Sequence, residues 1–461
     1  RSDDPDGDTR DSARWVVLAV MCVGYFLVLL DVTIVNVALP RIGAGLGTQV
    51  GGLQWVVDGY AITLASLLLA GGSVGDVRGH KRVVLVGLAV FAIASLGCAL
   101  APGITVLIVA RVLQGVGAAL LLPGTLAIIS HAFPEGREQA RAIGVWAGVG
   151  GSALPAGPVL GGALVQGIGW RAVFFVNVPI ALVAGAVVLR VVRESREPAA
   201  RRADPAGIAL GGLALAATTF AFIRSADGVD VVVAGAAATA VVLVPAFGVV
   251  ERYRSEPMLP LELFGRPGFS SANAVAGAMN LGTLGLLFVL TLYLQTVQGR
   301  DPLAAGVALL PLFVPLGVLA PLAGRVTARV GPRPPMVAGL TCAAVGAALL
   351  VRLRPDSAYA TVLPAMLLWG IGMGLLTPAV VSAAIRSVPP DRAGLASGVN
   401  NTARQAGGAI GIAAYGALAG SPSSPGTFTS GLHLAGIATA VLWVAAAIVT
   451  LALVPAGARS R

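Results

Sequence analysis

The chain reads as an all-α integral membrane protein: fourteen transmembrane helices, in two six-helix bundles plus two inserted helices. Three observations predict this. Of 461 residues, 56% are hydrophobic and only 11% charged, too few charges to cover a water-soluble globule. Apolar stretches of about 20 residues, the length that crosses a bilayer, recur with centres near residues 27, 63, 92, 115, 152, 181, 215, 241, 284, 313, 343, 370, 407 and 444. The chain also repeats itself. GSVGDVRGHKR (Gly72–Arg82) aligns with GRVTARVGPRP (Gly324–Pro334), and GVGAALLLP…HAFPEGR (Gly115–Arg137) with GIGMGLLTP…RSVPPDR (Gly370–Arg392), at offsets of 252 and 255 residues. Prolines Pro123/Pro378 and Pro134/Pro389 stay in register, so helices 1–6 recur as helices 9–14.

The elements follow in order. Residues 1–14 (RSDDPDGDTRDSAR) are polar and acidic, lack a cleavable-signal pattern and are expected to be a disordered cytoplasmic tail. Residues 15–192 hold the first bundle and 193–205 a charged linker. The two inserted helices occupy 206–250, a second linker 251–269, the second bundle 270–456, and a short tail 457–461. No loop is long enough to fold as a separate domain, which leaves little room for an enzyme site facing water. Transport is the default function.

Formal net charge is +10, but its placement argues against nucleic acid. Of 31 basic residues, 23 fall in segments on the side of the N-terminus, six in the opposite loops, and Arg111 and Arg404 inside helices. Such a bias places both termini in the cytoplasm. Cys22, Cys98 and Cys342 lie singly in apolar helices with no metal spacing and read as inert core residues; His80, His131 and His433 lie near helix ends and read as solvated.

The first helix ends LLDVTIVNVALP, with Asp31 about nine residues from its outer end. A mid-membrane carboxylate costs about 2.5–3.5 kcal/mol, so it needs a cavity or a partner. Asp58 in the second helix (LQWVVDGYAITLAS) and Arg111 in the fourth (LIVARVLQGVGAA) reach a similar depth. One arginine neutralises one acid, and the spare carboxyl is cheaper protonated. A structural ion pair accounts equally well for Arg111; for the aspartates, proton loading and release is favoured. The fifth helix (GVWAGVGGSALPAGPVLGGAL) places Gly144, Gly148, Gly151, Pro155, Pro158 and Gly162 on one nearly bare stripe, suited to a close static contact or to a rocking interface. GGSVGDVRGHKR sets a glycine-flanked acid beside three cations in a tight inner turn.

These motifs in combination resemble the major facilitator superfamily, specifically its fourteen-helix drug:proton antiporter branch. LDVTIVNVALP looks like its first-helix motif. Gly72, Gly75, Asp76, Gly79, Lys81 and Arg82 look like its gating loop, with Val77 where that loop usually carries a basic residue. Arg111, Gln114, Gly115 and Gly117 fit its fourth-helix motif. Gly144, Gly148, Pro155, Gly157, Pro158, Gly161 and Gly162 are similar to its antiporter helix, Ala153 replacing a glycine; WRAVFFVNVPI and NNTARQAGGAIG also look typical. The resemblance implies proton coupling through Asp31 and Asp58, modulated by Arg111. It also implies that Asp76 locks the inward-closed state against the thirteenth helix.

Asn36, Gln114, Asn400, Asn401, Arg404 and Gln405 are candidates for the cavity wall, with a structural role for Arg404 near the gating loop as the alternative. Met279, Phe288, Tyr293, Phe313, Trp369 and Tyr415 are possible substrate contacts, better read as core. The expected protein is a monomeric exporter of the bacterial inner membrane, driven by protons, without cofactor or metal. Its expected cargo is hydrophobic or cationic, because an anion would meet two carboxylates. An uptake symporter on the same fold and a non-transporting membrane sensor or scaffold are the alternatives.

Overall fold

The computed structural model describes residues 5–133, 137–195, 205–225, 228, 230–253, 261–389 and 393–455, with the side chains of 5–13, 69, 73, 76, 137, 140, 147, 205, 206, 208, 215, 219, 222, 223, 261, 393 and 394 outside that description. Among the described residues there is no strand. The helices are α1 (Pro5–Leu46), α2 (Val50–Arg78), α3 (His80–Ala99), α4 (Ile104–Ala132), α5 (Arg137–Gly167), α6 (Ala172–Phe175), α7 (Asn177–Val191), α8 (Pro205–Ser225), α9 (Val231–Tyr253), α10 (Pro267–Leu292), α11 (Pro302–Ala308), α12 (Leu310–Val330), α13 (Arg333–Leu349), α14 (Tyr359–Arg386), α15 (Ala393–Ala419) and α16 (Pro425–Leu453). Because α1 starts at Pro5, the tail expected to be disordered through residue 14 is helical from that point. Proline suits the first helical position, and the acids that follow it in sequence suit a helix N-terminus.

Every predicted centre falls on a helix, but length and apolar content single out eleven spans among the described residues, not fourteen. The three others are α2, α8 and α15. Asn400, Asn401, Arg404 and Gln405 dilute α15, and α8 offers the shorter apolar stretch Ala209–Thr218. Polarity inside a span is what a composition criterion penalises and what a transport cavity needs.

The repeat is visible as matched geometry. Single left-handed glycines turn α2 into α3 (Gly79, φ 99°) and α12 into α13 (Gly331, φ 84°), 252 positions apart as the alignment requires. The following pairs cross through matched glycines. A Cβ on Gly87 of α3 would stand 3.0 Å from the Gly117 carbonyl of α4, and one on Gly339 of α13 would stand 2.6 Å from that of Gly372 on α14. No larger residue permits such backbone approach.

In the first bundle α1 packs on α5, α2 and α3 on α4, and α3 on α7; in the second α10 packs on α15, and α12 and α13 on α14. The inserted α8 covers the seam between α2 and α15, where Ala216 joins Ala61, Ile62 and Ala409, and α9 packs outside α8. Apolar side chains such as Ile93, Leu182 and Val241 point outward, as lipid requires.

Among the described residues the hydrogen bonds between the bundles lie at one end, the face assigned to the outside by the arginine distribution. There Gln54 donates to the Ile412 and Ala413 carbonyls at 3.2 and 3.0 Å, and Gln295 to the Val37 carbonyl at 2.9 Å. A Cβ on Gly162 of α5 would lie 2.6 Å from backbone atoms of Pro302 and Leu303. Above these contacts lies a funnel of about 810 Å³ bounded by Thr48, Gln49, Thr296 and Pro422. Toward the other end the surfaces part. A Cβ added to Gly144, Gly148 or Gly151 of α5, or to Gly317 or Gly324 of α12, would meet nothing within 4 Å.

Candidate functional site

The structure joins two of the three charged residues singled out at mid-membrane. Asp31 of α1 and Arg111 of α4, both with 0% exposure, form a direct ion pair through Oδ2 and Nη1. The other Asp31 oxygen accepts from Gln114 Nε2 at 2.9 Å and from Asn177 Nδ2 at 3.2 Å. Gln114 also donates to Ser95 at 2.9 Å and accepts from Arg111 at 2.7 Å. Arg111 Nε donates to the Val56 carbonyl at 2.8 Å, and its guanidinium lies 4.3 Å from the centre of the Tyr60 ring, whose hydroxyl donates to the Val28 carbonyl. Five helices thus close one network around a single charge pair. Small residues permit the approach: a Cβ on Gly115 would lie 2.6 Å from the Tyr60 carbonyl.

Gln114 therefore sits in this network, fully buried, and not in the cavity wall where the sequence suggested it. Ser95, Asn177 and Tyr60 were not singled out from sequence. The signal was available for two of them: Ser95 and Asn177 are polar residues inside apolar spans, the same property that drew attention to Asp31.

Asp58 is placed differently. It is also fully buried, yet among the described residues no donor reaches either oxygen. One turn before it on α2, Gln54 bonds α15 and the Trp55 ring stands 5.4 Å from Phe220 of α8; one turn after it, Ile62 packs against Ala409. Helical spacing puts Asp58 on this same face, toward the α8–α15 seam. Equal depth was legible in the sequence; the turn away from Arg111 was not.

Between the bundles, Asn36, Arg111, Leu284 and Gln405 line a narrow central space. Asn36 donates to the Val32 carbonyl at 2.8 Å. On α15, Asn400 is buried and donates to Asn273 at 3.2 Å, while Asn401, Arg404 and Gln405 remain half-buried. Met279, Phe288, Tyr293, Phe313, Trp369 and Tyr415 are all buried in the core, so the packing reading holds for each in this state.

The bare stripe of α5 is divided. At its outer half, Gly157 and Gly161 seat α1 at Thr33 and Ile34; the Pro158 carbonyl meets Gly306, and Gly162 meets Leu303. Pro155 lies between, half-buried. At its inner half, Gly144 and Gly148 face open space.

At the α2–α3 turn, the Asp76 side chain lies outside the described residues, and Gly72 sits in ordinary contact with Pro123. The cations bond within their own bundle. Lys81 Nζ donates to the Leu189 carbonyl at 2.9 Å, the Lys81 amide donates to Glu194 at 3.0 Å, and Arg82 lies 3.6 Å from Glu194. Gly79 makes the turn; besides its left-handed φ, any Cβ there would run into the Glu194 carboxylate. Glu194, just past α7, was not expected as a member of this loop. His80, read as solvated, is buried beneath the turn, while His131 is exposed and His433 faces the Leu353 carbonyl. The three cysteines are free thiols, and no metal-ligating cluster occurs among the described residues.

Known proteins resemble this chain. The chain is similar to a methylenomycin A resistance protein of Streptomyces coelicolor, 36% identical over 91% of this chain and 88% of that one. It is likewise similar to a tetracenomycin C resistance and export protein of Streptomyces glaucescens, 36% identical over 90% and 79%, and to a puromycin resistance protein of Streptomyces alboniger, 38% identical over 87% and 81%. Its fold matches a crystal structure of a peptide transporter in complex with sulfate, with TM-score 0.71, 14% identity and coverage of 95% and 94%. The family profile described as Major Facilitator Superfamily covers residues 21–412, and with these relatives it identifies the chain as a multi-pass membrane transporter, not an enzyme, belonging to that superfamily.

Proposed function

We propose that the protein exports small amphipathic molecules across the bacterial inner membrane in exchange for protons, by alternating access between two six-helix bundles. The carrying observation is the contrast between the two acids: Asp31 has its counter-charge in Arg111, and Asp58 has none. An unpaired charge in a dry interior is costly, so Asp58 is occupied as the neutral acid here and releases its proton once rocking gives it water or a cation. Each proton moving inward contributes about 2.3 kcal/mol per 100 mV. Arg111 holds Asp31 until the helices shift.

On this reading all fourteen predicted centres cross the bilayer, both termini are cytoplasmic, and the open end faces the cytoplasm. The divided stripe of α5 is then the moving surface: its outer half is closed now, and its inner half closes when the outer half parts. The cargo class follows from relatives named for resistance to antibiotics. The test uses everted membrane vesicles. Addition of a transported antibiotic should collapse a preformed proton gradient in wild-type vesicles and not in Asp58→Asn vesicles. Gradient collapse in the variant equal to wild type removes Asp58 from the coupling.

A further inference from the structure

Between the bundles lies one side-chain cluster that proton coupling does not use. Tyr25 of α1 stacks on Trp146 of α5, ring centroids 3.9 Å apart and planes 14° from parallel. Gly150, one turn beyond Trp146, leaves room for the Tyr25 ring, which any Cβ there would strike. From the other bundle, Gln405 of α15 lines the same narrow central space as Val32, two turns beyond Tyr25 on α1, and Arg404 immediately precedes Gln405, its charge reaching the Tyr25 hydroxyl. All three side chains are half-buried.

Within these three side chains the unmet groups are donors. Arg404 forms no ion pair among the described residues, and its Nε is buried without a partner, as is the indole Nε1 of Trp146. Neither aspartate pairs with the arginine: Asp31 is committed to Arg111, and no donor among the described residues reaches Asp58. A buried donor left unmade costs more than a bond gains, so such groups await an acceptor from elsewhere. Guanidinium and indole also present flat faces, and the stacked pair extends that surface.

We propose that Tyr25, Trp146 and Arg404 form a cargo subsite for an aromatic or conjugated group bearing a carboxylate. Arg404 pairs with the carboxylate and the Tyr25–Trp146 stack receives the ring. The subsite builds on the export reading and specifies its cargo. It departs from the charge rule drawn from sequence, because the two acids that rule relied on are neutralised or turned away. Tyr25 precedes Asp31 by six residues, about 9 Å along α1 at 1.5 Å per residue, so cargo would sit one layer below the ion pair, on the open side.

The test is equilibrium binding to purified protein in lipid nanodiscs at pH 7, without a proton gradient, using naphthylacetate, naphthylacetamide and naphthylethylamine. The acetate should bind at least tenfold more tightly than the amide, with the amine weakest. Arg404→Gln should bring the acetate down to the amide's affinity, and Arg404→Lys should retain part of the preference. Trp146→Leu should weaken acetate and amide by similar factors. An acetate that binds no better than the amide, or fails to bind, overturns the subsite, as does a preference that survives Arg404→Gln. Because binding is read without a gradient, these outcomes are independent of the vesicle test of coupling.

Discussion

Replacing Asp31 and Asp58 by asparagine, one at a time, should separate structural from transport roles. Asp31→Asn keeps the shape but removes the only counter-charge of Arg111 among the described residues, a side chain with 1% exposure. The guanidinium would be left with the Val56 carbonyl, Gln114 and the Tyr60 face, all neutral. Breaking a buried pair from one side costs about 3–5 kcal/mol. Asp58→Asn loses no hydrogen bond, because none is made, so its cost should stay within about 1 kcal/mol. Thermal unfolding of the purified variants, paired with gradient collapse in everted vesicles, reads both quantities. Asp31→Asn should lower Tm markedly, and Asp31→Asn/Arg111→Gln should recover part of the loss. Asp58→Asn should unfold near wild type and fail to exchange protons. Equal destabilisation by the two single variants would refute the assignment of one paired and one unpaired acid.

Other expectations follow from the seam and the turn. Gly148→Leu places a side chain where nothing lies within 4 Å; stability should change by less than about 0.5 kcal/mol, while drug export falls at least tenfold because the inner half no longer closes. Gly162→Ala puts a methyl 2.6 Å from backbone atoms of Leu303 and Pro302. Overpacking of about 1–3 kcal/mol should loosen the outer contact, measured as faster labelling of a cysteine placed at the half-buried Ala304. Gly79→Ala combines a left-handed φ of 99°, costing about 1–2 kcal/mol, with a collision at Glu194; Tm should drop, and Glu194→Ala should relieve part of the drop.

Much of the fold was legible because lipid imposes a simple rule: a span must be apolar and helical, and its interruptions show. The repeat was legible because glycines at fixed offsets mark helix crossings and turns, as Gly79/Gly331 and Gly87/Gly339 do in three dimensions. The count was less secure, since α15 combines membrane length with cavity polarity. At the site, residue types and depth pointed to Asp31, Asp58 and Arg111. Glu194 escaped notice because a charge just beyond a helix end is ordinary, and only the chain's return to the α2–α3 turn gives it partners.

The sequence by itself determined the solvent of this chain, the order of its helices, the duplication within it and the depth of its buried charges, because these depend on composition and on a fixed rise per residue. Tertiary structure decided which acid meets the arginine, that α5 touches its neighbour along half its stripe, and that Tyr25 of α1 stacks on Trp146 of α5. Those facts depend on how each helix is rotated about its axis and how the bundles tilt. Rotation and tilt are settled by many weak contacts between segments distant along the chain.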